Sequence, residues 1–180
     1  MLSPQLRQKV LNLWTMFWSS GMTNPLTAIE QITYLIFLKR LEMLDNKRID
    51  EKKASLFGPR QNCTLPHHPD DKPGPNGECN GHPTCKWTKY IKENPSHEHI
   101  SQYVFPWLRV LDQTLEMFGN GDRQTIEPAQ KDMMEDAYFQ FPRDKEETLQ
   151  RAIKAIDDLF IYVDSRAANS DVLGDIFEYL

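Results

Sequence analysis

The chain has little of what a secreted, membrane-spanning or strand-built protein needs. Its 180 residues hold three cysteines, Cys63, Cys79 and Cys85. So small and odd a set argues against a disulfide framework. No apolar run approaches the roughly 20 residues that cross a bilayer. The opening MLSPQLRQKV is too polar for the apolar stretch of a secretory signal. A cytoplasmic protein with no membrane partner is expected. Strand alternation is missing as well: VFPWL and LFIYV are short and sit inside helical patterns. Positive charge is not in excess, since 21 Lys and Arg against 26 Asp and Glu leave a net charge of -5, which excludes a domain that coats nucleic acid by charge alone. A phosphate-cradling glycine loop is absent, because Gly119-Asn120-Gly121 lacks the strand-to-helix setting such loops require.

What is present is helical periodicity. Ser3-Pro4 is a helix start, a capping hydroxyl before a proline at the first helical position. Leu6, Val10, Leu13, Trp14 and Phe17 follow on one face. Asn24-Pro25 repeats the signal, and Leu26, Ile29, Ile32, Thr33, Ile36, Phe37, Arg40, Leu41 and Leu44 keep helical period to about Asp45. Apolar residues surround this second helix near Tyr34 to Leu38, as in the central helix of a core. Further on, Ser96 caps a helix with Ile100, Tyr103 and Val104, and Phe105-Pro106 leads into Trp107, Leu108, Leu111, Leu115 and Phe118. A moderate segment spans Ala129 to Tyr138. Asp144 and Glu147 form a capping box for a helix whose face is Leu149, Ala152, Ile153, Ile156, Leu159 and Phe160. A last helix begins near Ser170 and carries Leu173, Ile176, Phe177 and Leu180 to the end of the sequence. The expected fold is all-α, an orthogonal helical bundle over 1–170 with a long irregular loop at 46–85, then residues 171–180 as the start of a helix that leads onward.

The loop is the chemically suggestive part. Cys63, His67, His68, Cys79, His82 and Cys85 are ligand types that tetrahedral zinc prefers, with Cys63, Cys79, His82 and Cys85 as the candidate set. The spacing is irregular and no paired C-x2-C occurs, so a mobile, metal-free loop rich in Pro, Gly and His is the expectation. His97 and His99 flank Glu98 two positions apart, which turns them to different sides of a helix and predicts a solvated first turn. Asp157-Asp158 and Glu146-Glu147 fall on polar faces. Trp14, Trp18, Tyr34 and Phe37 could stack on bases, but at helical spacing they are expected in the core. Basic residues crowd the end of the second helix: Lys39, Arg40, Lys47, Arg48, Lys52, Lys53 and Arg60 outnumber Glu42, Asp45, Asp50 and Glu51.

Several stretches together resemble a known family. They are Tyr34-Leu35-Ile36-Phe37-Leu38-Lys39-Arg40-Leu41 after a first amphipathic helix, Cys85-Lys86-Trp87, Val104-Phe105-Pro106, and Asp171-x-x-Gly174-Asp175-x-Phe177-Glu178-Tyr179-Leu180. In this order they resemble the N-terminal helical domain of the methylation subunit of type I restriction-modification enzymes. The resemblance implies a bacterial full-length subunit that methylates adenine N6 in DNA with S-adenosylmethionine, through a catalytic domain expected after Leu180. It also implies that the helical domain helps clamp DNA and contacts the specificity subunit. The implied complex has two methylation subunits and one specificity subunit, with a restriction subunit in the full enzyme. Asn24-Pro25-Leu26 and Asn94-Pro95-Ser96 lack the second proline and aromatic of the family's catalytic motif, so no catalytic or cofactor residue, and no cofactor, is expected in this chain alone. Lys39, Arg40, Lys47 and Arg48 are the candidate phosphate contacts. The alternative is a zinc-stabilised or freestanding helical interaction module.

Overall fold

The computed structural model describes residues 3–111 and 134–164. Every regular element among them is helical, and no strand occurs there. The expected features at Leu115 and Phe118, the Gly119-Asn120-Gly121 stop, the beginning of the Ala129 segment and the terminal helix over 171–180 lie outside the described residues. The long helices are α1 (Pro4–Ser19), α2 (Pro25–Asp50) and α5 (Glu146–Asp164). Between α2 and α5 come a 3-10 turn (Pro83–Cys85), a π-helical turn (Trp87–Ile91) and one helical run made of α3 (His97–His99), a π turn (Ile100–Val104) and α4 (Phe105–Arg109). A second 3-10 turn, Arg143–Lys145, precedes α5. The chain divides into two compact units, Met1–Lys39 with Gln140–Leu180, and Arg40–Phe139.

The first unit follows its apolar periodicity. Ser3 Oγ accepts the Leu6 N–H at 3.3 Å and Asn24 Oδ1 accepts the Leu26 N–H at 3.0 Å, so both expected caps form. Leu6, Val10, Leu13 and Phe17 are buried, as are Leu149, Ala152, Ile153, Ile156, Leu159 and Phe160 of α5, and α1 packs against α5. The Phe17 ring meets Phe141 edge-on at 5.3 Å. Every residue of α2 from 31 to 38 is buried, which gives it the central place its girth of apolar residues predicts. Gln31 is polar in this setting, and its Oε1 is satisfied by the Gln140 N–H at 2.9 Å. One polar-face expectation is corrected: Asp157 is buried, 3.6 Å from Lys39 Nζ, while Asp158 stays exposed. A carboxylate on the inward face is tolerable only with such a partner.

In the second unit the buried residues are Leu41, Leu56, Phe57, Cys85, Trp87, Ile91, Ile100, Val104, Phe105, Trp107 and Leu108, among others. Ser96 caps the helical run, its Oγ accepting the His99 N–H at 3.3 Å. The run widens to a π turn just before Pro106, where the Phe105 N–H reaches back to Ile100. Proline has no N–H to continue the ordinary ladder, and a π turn is one way a helix absorbs that gap.

Helix α2 runs five residues past the expected end near Asp45. Its close is made by backbone, which periodicity does not report. The Lys53 N–H bonds the Arg48 carbonyl at 2.8 Å and the Lys52 N–H bonds that of Ile49 at 2.9 Å, with Lys52 at φ 61. These are the paired bonds of a Schellman cap, with lysine where glycine is usual. A left-handed side-chain-bearing residue costs roughly 1 kcal/mol. Lys52→Gly is therefore expected to stabilise the chain by about 0.5 kcal/mol after glycine's extra unfolded freedom is deducted. The check is a higher urea midpoint, and a lowered midpoint would contradict the cap.

Candidate metal centre and the basic end of the second helix

The stretch after α2 has few large side chains to bury, yet it is fastened. Three buried carboxylates accept backbone N–H groups along it. Asp45 accepts the Leu56 N–H at 2.6 Å and the Ser55 hydroxyl at 2.8 Å. Asp71 accepts the Thr84 N–H at 3.0 Å and its hydroxyl at 2.7 Å, closing the Pro83–Cys85 turn. Glu42 accepts the Thr88 N–H at 3.0 Å and its hydroxyl at 2.6 Å, capping the π turn at Trp87. Such bonds substitute for a hydrophobic core, because a carboxylate that accepts two donors keeps its charge satisfied out of water. The loose loop expected from composition is replaced by this polar framework.

On it stand four ligand-bearing side chains. Cys63, His67, Cys79 and His82 bring one Sγ or ring nitrogen each within 4.8 Å of one another. Cys63 Sγ lies 3.4 Å from His82 Nε2 and 4.0 Å from His67 Nε2, and Cys79 Sγ lies 3.6 Å from His82 Nε2. The two imidazoles stack with centroids 4.3 Å apart. Local backbone puts them there. Asn62 adopts φ 53 just before Cys63. A turn bonded from the Gly77 N–H to the Gly74 carbonyl at 3.0 Å, with Gly77 at φ 78, delivers Cys79. Gly81, at φ 110, brings the His82 N–H to the Phe57 carbonyl at 2.7 Å, and a Cβ at Gly81 would stand 2.6 Å from that oxygen. Only glycine combines that backbone angle with that approach.

The electrostatics are those of a partly buried thiol and imidazole group. Burial, then the neighbouring His67, holds the His82 pKa down to about 4, so its ring is neutral near pH 7. Burial raises the Cys63 thiol, opposed by a hydrogen bond from the backbone of Leu65. Arg60, half-buried beside both thiols, is lowered by burial.

The structure gives the sequence candidates separate fates. Cys85 stands apart from the cluster: it is buried, its thiol 3.6 Å from the Tyr103 carbonyl, and burial raises it well above the ordinary thiol range. His67 takes the place that the sequence reading gave Cys85. His68 turns instead toward His99, 4.9 Å away, and Tyr103, 5.2 Å away. The solvated-turn expectation for His99 is corrected, because its ring is buried and Nε2 lies 2.7 Å from the Thr84 carbonyl. Of the basic residues, Lys39 pairs with Asp157, and Arg48 is buried with its Nε and Nη2 donating to the Ala54 carbonyl at 3.0 and 2.9 Å. Arg40 is half-buried and Lys47 exposed. Tyr34 and Phe37 are core as expected, whereas Trp18 is 48% exposed beside Trp14. The signal that could have found the cluster is its pair of short spacings, Cys63-x3-His67 and Cys79-x2-His82.

Residues 6–156 match the family model described as HsdM N-terminal domain. No curated protein and no solved structure matches the chain. The match takes in most of the sequence, and the chain belongs to that family, the N-terminal domain of the methylation subunit of type I restriction-modification systems.

Proposed function

We propose that this member of the HsdM N-terminal domain family grips the DNA backbone and docks the specificity subunit on behalf of an adenine-N6 DNA methyltransferase. It works in the cytoplasm, in an assembly of two methylation subunits and one specificity subunit that a restriction subunit joins. The family match over residues 6–156 is the observation that carries this reading. Two surface features support it. Lys47 is exposed in the last turn of α2, with Arg40 half-exposed two turns earlier, as suits contacts that fix position without reading sequence. Leu11, Trp14 and Trp18 recur along α1, with Leu11 41% and Trp18 48% exposed. An apolar stripe of this kind, with Leu11 and Trp18 exposed and Trp14 half-buried between them, suits a subunit interface.

The cofactor implied by the family, S-adenosylmethionine, does not fit the residues present. The described residues form no sheet, and the sequence has neither the glycine loop nor the Asn-Pro-Pro-aromatic motif. No step of methyl transfer is assigned to this chain. No helix among the described residues is long and apolar enough to cross a membrane. The alternative of a freestanding interaction module is not favoured by the family match.

The test uses the full-length methylation subunit with its specificity subunit. Arg40→Ala with Lys47→Ala should weaken binding about equally on cognate and non-cognate DNA and flatten the salt dependence by roughly 0.9 per lost phosphate contact. Leu11→Ser with Trp18→Ser should reduce co-purification with the specificity subunit. Unchanged DNA affinity, salt slope and co-purification would overturn the reading.

A further inference from the structure

We propose that Cys63, His67, Cys79 and His82 bind one structural zinc ion that clips the loop between α2 and the Pro83–Cys85 turn. The argument begins with distances. A tetrahedral zinc with Zn–S of about 2.3 Å and Zn–N of about 2.05 Å has S···N edges of about 3.6 Å. The three sulfur–nitrogen separations, 3.4, 3.6 and 4.0 Å, bracket that edge. All four ligand atoms fall within 4.8 Å of one another, so one ion can reach them all with small side-chain adjustments. Two thiolates and two neutral imidazoles are a donor set that zinc prefers over calcium or magnesium, which take oxygen. Four protein ligands leave no open position, which marks a structural rather than a catalytic site.

Two further observations point the same way. The ligands arrive as two short pairs from distant parts of the loop, each delivered by a left-handed backbone position, at Asn62 and Gly77. The loop also has a use for a clip. From Glu51 to His82 it contains no helix, and only Leu56 and Phe57 of its large apolar side chains are buried. Joining distant points of such a stretch removes much of the disorder it would otherwise have when unfolded. On binding, the two thiols release their protons to solvent, and two thiolates balance the charge of the ion. A disulfide between Cys63 and Cys79 would use the same sulfurs but gives no role to the two imidazoles aimed at them. The metal would stabilise a domain of this family, and its presence or absence leaves the DNA and subunit contacts proposed above to be judged separately.

The whole chain, purified under reducing conditions without chelators, should carry one zinc by elemental analysis. Cys63→Ser with Cys79→Ser should abolish the stoichiometric metal, and Cys85→Ser should retain it. Because the double variant could fail to fold, the stripped wild-type chain is also titrated with cobalt(II). The expected result is the ligand-field spectrum of tetrahedral cobalt with thiolate charge transfer, displaced by one equivalent of zinc. No stoichiometric zinc and no such spectrum would overturn the proposal, as would a Cys63–Cys79 disulfide found by mass spectrometry in the chain as isolated. Loss of metal in Cys85→Ser with retention in the double variant would overturn it too.

Discussion

Asp45→Ala is expected to lower the unfolding free energy by about 2–4 kcal/mol, because it leaves the buried Leu56 N–H without an acceptor, at roughly 1–3 kcal/mol, and takes the partner of a half-buried hydroxyl, at less. The donors are the Leu56 N–H at 2.6 Å and the Ser55 hydroxyl at 2.8 Å, and Asp45 itself is 0% exposed. Lys86, with Nζ 4.0 Å from the same carboxylate, would lose its counter-charge. Asp45→Asn keeps an acceptor for Leu56, and the Ser55 hydroxyl can rotate to accept from the new amide. Its cost should be nearer 1–2 kcal/mol, chiefly the lost charge assistance. Urea unfolding of both variants, followed by circular dichroism, separates the two. Losses below about 1 kcal/mol for both would mean that this carboxylate does not fasten the segment after α2.

That framework was the part of the fold least legible in the sequence. Helices α1 and α5 announce themselves because Phe17 and Ile156 lie on apolar periods that only a helix can bury on one side, and α2 because apolar residues such as Ile32 surround it. Asp45, Glu42 and Asp71 carry no such mark. A carboxylate that will accept a distant backbone N–H looks the same in sequence as one that faces water. The same ambiguity hid the fates of Lys39 and Arg48. Both look like ends of a solvated helix, yet one faces Asp157 and the other the Ala54 carbonyl. At the Cys/His cluster the residue types were visible and three of its four members stood in the candidate set. The fourth was misassigned, because Cys85 continues an even spacing after Cys79 and His82 while its thiol is drawn into the core beside Tyr103.

Trp107→Ala is expected to cost about 3–5 kcal/mol, the usual penalty for emptying a large aromatic site. Trp107 is 0% exposed and stacks on Phe57 with centroids 4.5 Å apart and planes 10° from parallel. The contact joins α4 to one of the two large apolar side chains that the loop buries, so its loss reaches both elements. Trp107→Phe should behave differently from a simple reduction in size. Among the described residues the buried indole Nε1 has no hydrogen-bond partner, and an orphaned donor costs roughly 1–3 kcal/mol. Phenylalanine removes that donor while keeping a ring against Phe57, so two opposing terms meet: a smaller side chain leaves space, and a polar group no longer goes unsatisfied. The net change should stay within about 1 kcal/mol of the parent chain. Urea midpoints for the two variants decide the matter. Equal, large losses for Trp107→Phe and Trp107→Ala would mean that the indole's polar edge contributes to stability, and therefore that Nε1 donates to a partner in solution.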